Sequence, residues 1–324
     1  MAASPNSGNA LPDPYPHSVE AIYRVYEAKE RKSKERGYLG ASAMGSDCDR
    51  AVWYAFRWAT PGEQFSGRML RLFETGHREE ARLIRDLRAA GMTVEDLDPV
   101  TSHQWSYEAI GGHFRGHMDG KIVGVPEAPC TVHVLECKTH NAKSFKALLK
   151  DGVRASKPGH WRQVQLYLRM SGLTKAFYVA QCKDDDSIHV ERLDYDEDEA
   201  ASFMGRAERI IFAEEPPPRL YDDPTSKAAF ACRYCPALAQ CHQGAFARVN
   251  CRTCLHVSPV DGGWHCALHD IRLSLSEQQA GCSRHLFIPG LVPGEQVDAD
   301  EEVETVTYRM PDGAMWVDGG EVRP

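Results

Sequence analysis

The chain has 324 residues, with 46 acids against 38 bases for a formal charge of −8, and is 42% apolar and 26% charged. That is the composition of a globular protein of roughly two domains. It excludes a general basic coat for nonspecific nucleic-acid binding, and the short apolar runs offer no bilayer-spanning segment. Residues 1–17, MAASPNSGNALPDPYPH, lack the basic-then-apolar order of a secretory signal and read as a flexible arm, so the expected location is cytoplasmic.

Residues 18–36 place Val19, Ile22, Tyr23, Val25 and Tyr26 at helical spacing before a charged run that ends at Gly37, which predicts a surface helix. Ser42 is placed to cap a second helix containing Cys48, Trp53, Tyr54 and Phe56. A third, over 66–90 and stopped by Gly91, carries Met69, Phe73, His77, Glu80, Ile84 and Leu87 in one row. Two polar side chains thus stand in the row meant for the core. Between 100 and 140 the period changes to two, in HQWSYEAI, GHFRGHMDGKIVGV and TVHVLECKT, with breaks at Gly and Pro. Helical stretches follow at 141–151 and 158–171, then strands at KAFYVAQC and SIHVERLDY, and an acidic helix at 196–213 closed by the prolines 216–218. A cysteine-rich segment at 230–285 precedes an acidic stretch, EQVDADEEVE, expected to be loose, and a hairpin over Pro311-Asp312-Gly313. This order describes an α/β core with a mixed sheet.

In the strand Thr131–Thr139, alternation puts Val132, Val134, Glu136 and Lys138 on one face and Leu135 and Cys137 on the other. A Glu and a Lys at the end of an apolar strand are costly to bury without a partner or a task. The preceding hairpin strand brings up Asp119, in Gly116-His117-Met118-Asp119-Gly120. With Glu80 from the third helix, these carboxylates form an oxygen ligand set for hard divalent cations. Lys138 beside them can position or help deprotonate a metal-bound water, which is what phosphodiester hydrolysis requires. The plain alternative is an ion-paired set with no chemistry. His160, Gln163 and Tyr167 share one helix face. Between Lys138 and Arg169, eight Lys or Arg stand against the single acid Asp151, a balance of +7 (8 − 1). Such a run is either a solvated face or a phosphate-tracking surface.

These residues resemble the PD-(D/E)XK nucleases of the RecB and lambda-exonuclease type, through Glu74-Thr-Gly-His-Arg-Glu-Glu80, Asp119, Glu136-Cys137-Lys138 and Gln163-x3-Tyr167. The resemblance spans residues 42–242. It implies a restriction-endonuclease-like core in which Asp119, Glu136 and the main-chain carbonyl of Cys137 bind Mg²⁺ or Mn²⁺. It also implies that Lys138 serves the attacking water and that the Gln163/Tyr167 helix contacts DNA. The first-motif ligand is Glu80 by the lambda-type pattern or His77 by the RecB type; the helix row allows both and disfavours Glu79. Met118 stands where the family name has proline.

Eleven cysteines without an export signal point to metal ligands or buried thiols rather than disulfides. Cys232-x2-Cys235-x5-Cys241 with a lone upstream Cys48 resembles the 4Fe-4S staple of AddB-type nuclease domains and CRISPR-associated RecB-like exonucleases. Zinc also accepts four thiolates, although a lone upstream ligand and an x5 gap are atypical of zinc ribbons. Cys251, Cys254, Cys266 and Cys282 form a second set, a compact knuckle expected to hold zinc or a second cluster. His269 and His285, each three residues after a cysteine, are able to substitute. Cys130, Cys137 and Cys182 read as buried small hydrophobes, and Cys137, facing away from Glu136, is no nucleophile.

The expected organisation is an arm at 1–17, a nuclease domain with its staple at 18–245, a metal knuckle at 246–292 and an acidic tail with a hairpin at 293–324. The fold class is α/β: a mixed sheet flanked by helices, a helical N-terminal part and a small cysteine-rich metal-binding C-terminal module. The expected function is that of a Mg²⁺/Mn²⁺-dependent deoxyribonuclease, an exonuclease rather than an endonuclease, in phage or bacterial recombination or repair. Its partners would be DNA and a helicase or annealing protein, with no membrane. No G-x4-GK[ST] phosphate loop is present, so the chain is not itself a helicase. The rival readings are a CRISPR-associated RecB-like processing nuclease and a noncatalytic metal-stapled DNA- or protein-binding module. The intact Asp119/Glu136/Lys138 set speaks against the latter.

Overall fold

The computed structural model describes residues 17–30, 35–62 and 64–320. The arm therefore lies outside the described residues, apart from His17. Two units emerge: residues 17–30, 35 and 64–78 form one, and 36–62 with 79–320 form the other. In the first unit, α1 (His17–Glu30) is joined to later residues by Glu27, whose carboxylate accepts from the Gly67 backbone N at 2.8 Å. The second unit opens with β1 (Leu39–Gly40), a 3-10 turn at Ala41–Gly45 and α2 (Asp49–Phe56). Ser42 lies inside that turn, and the cap of α2 is Cys48, whose sulfur accepts from Ala51 N at 3.4 Å. The helix α3 (Gly67–Ala89) gives its first turns to the first unit and its last, from Glu79, to the second. Phe73, expected in the core row, instead packs edge-on against Phe65 at 4.9 Å in the first unit and stays 40% exposed.

Along the second unit come β2 (Thr93–Glu95), β3 (Ser106–Ala109), β4 (Phe114–His117), β5 (Gly120–Val123) and β6 (His133–His140). Then follow α4 (Ala142–Ser156), α5 (Pro158–Ser171), β7 (Lys175–Cys182), β8 (Ile188–Asp194) and α6 (Glu197–Phe212). The main sheet runs β2-β5-β6-β7-β8, with β6 and β7 parallel and the other neighbours antiparallel. A three-stranded sheet, β1-β4-β3, lies beside it in sequence. The two-residue period of β6 and β7 decides which layer covers each face. Val134, Tyr178 and Ala180 pack with Phe145, Leu148 and Val164 of α4 and α5, whereas Leu135, Cys137 and Val179 pack with Leu83, Ile84 and Leu87 of α3. The result is the expected mixed sheet flanked by helices.

The C-terminal part begins with α7 (Leu238–His242), then β9 (Val257–Val260), β10 (Gly263–Cys266), β11 (Ile271–Leu273) and α8 (Leu275–Ala280). It closes with the antiparallel sheet of β12 (Glu295–Asp300), β13 (Thr305–Arg309) and β14 (Met315–Gly319). The stretch expected to be loose thus supplies a strand. β12 pairs with β13 across a bulge and is exposed along its length, so backbone hydrogen bonds rather than burial order it. The hairpin over 311–313 is present, closed by Met310 N to Ala314 O at 2.8 Å.

This C-terminal part shares one apolar cluster with the α5 side of the sheet. Arg252, 1% exposed, donates to the Phe56 and Gly37 carbonyls at 2.9 Å each and lies 3.7 Å over Trp58 and 4.6 Å over Trp264. Arg57, equally deep, donates to the carbonyls of Ala213, Arg252 and Val257. Buried guanidinium groups are tolerable only with such hydrogen bonds and aromatic faces around them. Among the described residues no helix is long and apolar enough to cross a membrane.

Candidate active site and cysteine clusters

Asp119 lies between β4 and β5, where the chain leaves the small sheet for the main one. Two glycines allow that passage. A Cβ on Gly116 would stand 2.5 Å from Met170 Cε and 2.9 Å from the Tyr167 ring, and one on Gly120 would stand 2.8 Å from the Glu95 carbonyl oxygen. Asp119 Oδ2 accepts from the Cys137 backbone N at 2.8 Å, which ties it to β6 beside Glu136. Glu136 is 1% exposed; one carboxylate oxygen receives the Lys138 ammonium, and Oε2 is buried without a hydrogen-bond partner.

Burial pushes Glu136 up to about 8, Lys138 pulling against it and Asp119 adding to it. Burial, then Asp119, pushes the half-buried Glu80 up to about 7. Burial opposes the charge on Lys138, yet Glu136 and Asp119 together hold its ammonium above the ordinary lysine value. Three carboxylates and one ammonium thus feel one another strongly. Among the described residues, however, no three His, Cys, Asp or Glu side chains stand at ligand distance around one point. Glu136 is turned onto Lys138 instead.

The other predicted residues divide. On α5, Gln163 Nε2 donates to the Tyr167 hydroxyl at 2.6 Å, and Tyr167, 3% exposed, faces inward toward Glu136. His77 is exposed and belongs to the first unit, while Glu79 is engaged by Arg82 at 3.3 Å. Part of the basic run is spent internally, with Arg154 paired to Asp196 and Glu199 and Arg162 to Asp47. Lys143 and Lys146 are exposed, and among the described residues neither forms an ion pair. Sequence reasoning missed His140 and Tyr178. His140 continues the Glu136/Lys138 row by one more alternation, a signal that was there to use. Tyr178 is brought opposite Glu136 only by the β6–β7 register.

Cys48, Cys232, Cys235 and Cys241 line one cavity of about 20 Å³, the room of a single water. Burial raises the Cys235 thiol, and its three companions raise it further. The four thiols share this cavity without standing at ligand distance around one point. Cys251, Cys254, Cys266 and Cys282 line a second cavity of about 210 Å³ together with His269 and His285. The first three are buried and Cys282 is exposed, 3.8 Å from His269 Nε2. His285 is turned instead to Thr253 Oγ1 at 3.2 Å. Of the cysteines expected to be buried hydrophobes, Cys137 and Cys182 are buried but Cys130 is exposed, because it falls in the turn before β6 rather than in a strand.

No protein-family model matches the sequence, and no curated protein matches it significantly. Solved structures do show similarity. "Crystal structure of SSO0001" aligns with 69% of this chain and 96% of its own, at 16% identity and a TM-score of 0.42. An alkaline exonuclease (LHK-Exo) from Laribacter hongkongensis aligns with 58% of this chain and 90% of its own, at 17% identity and a TM-score of 0.40. The same exonuclease in complex with dAMP aligns at 16% identity and a TM-score of 0.39, over 59% of this chain and 90% of its own.

Proposed function

We propose that this protein is a divalent-metal-dependent deoxyribonuclease of the PD-(D/E)XK type that hydrolyses DNA from its ends, in recombination or repair. The observation that carries the hydrolytic part is the buried Glu136, whose second oxygen has no partner and whose carboxylate is coupled to those of Asp119 and Glu80. A buried oxygen with unspent acceptor capacity among like charges is stable only if a cation or a proton joins it. Asp119, Glu136, Glu80 and the Cys137 carbonyl would hold Mg²⁺ or Mn²⁺, which when bound would supply an activated water and positive charge for the phosphate. Lys138 holds the Glu136 carboxylate from one side and places a proton donor beside the attacking water. Exonuclease action on DNA is supported by the Glu80, Asp119, Glu136-x-Lys138, Gln163-x3-Tyr167 pattern.

Each cysteine set is proposed to bind metal through four thiolates. The one-upstream, three-downstream spacing of the first set supports a 4Fe-4S cluster; the second set suits zinc. Asp119→Ala, Glu136→Ala and Lys138→Ala should each lower Mg²⁺-dependent hydrolysis of linear DNA by at least about 10²-fold with the fold retained. Near-normal turnover in any one of them would overturn the assignment, and equal cleavage of circular DNA would overturn action from ends.

A further inference from the structure

The face of β6 that carries Glu136 and Lys138 continues to His140, where a second polar group assembles that hydrolysis as described above does not use. His140 Nε2 lies 3.1 Å from the Tyr178 hydroxyl, and His160 Nδ1 lies 2.7 Å from the same hydroxyl. Ser144 Oγ stands 3.0 Å from His140 Nδ1. Tyr178 is fully buried and His140 nearly so. A phenol has one proton, so Tyr178 donates to one imidazole and accepts from the other.

The shorter contact is assigned as Tyr178 O–H to His160 Nδ1, an arrangement that leaves each ring neutral with one proton. With that assignment His140 Nε2–H donates to the Tyr178 oxygen and Ser144 O–H donates to His140 Nδ1. His160, accepting at Nδ1, must then carry its own proton on Nε2. That atom makes no hydrogen bond among the described residues. Burial, then the surrounding lysines, Lys138 among them, hold both rings neutral, pushing His140 down to about 4 and His160 to about 3. His160 also sits one turn before Gln163, on the face of α5 that looks onto the carboxylates.

We propose that His160 is a further catalytic residue, whose Nε2–H hydrogen-bonds a non-bridging oxygen of the scissile phosphodiester beside Lys138, with Tyr178 and His140 setting the tautomer that leaves this donor outward. The proposal rests on the nuclease reading. A neutral donor at this point stabilises charge developing on the phosphate without placing a second cation against Lys138. No proton is transferred.

Steady-state hydrolysis of linear duplex DNA by His160→Gln, His160→Asn and Tyr178→Phe, with melting curves for each, tests it. A Gln side chain places an amide N–H near the position of Nε2, whereas Asn reaches only that of Nδ1. Asn should therefore lower kcat by about 10²-fold while Gln retains more activity, with melting temperatures alike. Tyr178→Phe, nearly isosteric, should lower kcat with KM little changed. Asn matching Gln, or Tyr178→Phe turning over like the wild type, would show that the ring merely braces the sheet and would overturn the proposal. An inactive wild type would remove the nuclease reading and this proposal together.

Discussion

Glu136 concentrates the chemistry at the scale of single residues. Its carboxyl titrates near 8 in the folded protein against an ordinary value of 4.5. Between those values the folded state holds a proton that the unfolded chain has lost. The associated stability is therefore complete below about pH 4.5 and is lost as pH rises through about 8. Glu136→Gln cannot ionise and should not show this decline. In chelator, the melting temperature of the variant should overtake that of the wild type progressively between about pH 5 and pH 9. Mn²⁺ should raise the wild type at high pH and leave the variant unchanged. Parallel pH profiles would mean that Glu136 is not the strained group. The alternation that singled out Glu136 and Lys138 was legible in the sequence, because a strand has only two faces. The partner of each oxygen was not.

Among the elements, the approach of β4 to α5 is the tightest constraint near the site. Gly116→Ala would drive a methyl group into Met170 Cε and the Tyr167 ring. It should cost about 1–3 kcal/mol, as overpacking does, and displace Tyr167 from Glu136, lowering turnover as well. Gly76, inside α3, would meet no heavy atom within 4 Å. Gly76→Ala should therefore stabilise by about 0.5–1 kcal/mol through helix propensity alone. Urea unfolding of the two variants should move in opposite directions. The helices and strands of this unit were largely legible because their periods differ. The split of α3 between two units was not, since a helical row records which side is apolar but not which neighbour covers it.

Over the whole molecule, the C-terminal part is bound into the second unit by Arg252 and Trp264 rather than carried as an appendage. Removing Arg252 strands the carbonyls of Phe56 and Gly37 and opens space between two tryptophans. Arg252→Ala should cost at least about 3 kcal/mol. Calorimetry should show the mixed-sheet core and the C-terminal part melting together, and a chain ended at residue 245 should fail to fold. The two proposed metals are separable by analysis of iron and zinc. Cys48→Ser and Cys232→Ser should lose the metal of the first set and Cys251→Ser that of the second, each with lowered stability, since metal binding and folding share one free energy. Zinc alone in anaerobically prepared wild type would replace the 4Fe-4S assignment without touching Asp119, Glu136 or Lys138.

The sequence by itself determined the mixed α/β class, the carboxylate–lysine row and the division of eight cysteines into two sets of four. These rest on local spacing, and the pitch of a helix or strand converts spacing directly into a shared face. Only the tertiary structure decided that Glu80 is the half-buried carboxylate coupled to Asp119, that β12 is an ordered strand, and that Cys130 is exposed. It alone also set His160 against Tyr178. Each of these depends on which distant segment lies opposite, and that is fixed by register and packing across the core rather than by any pattern along the chain.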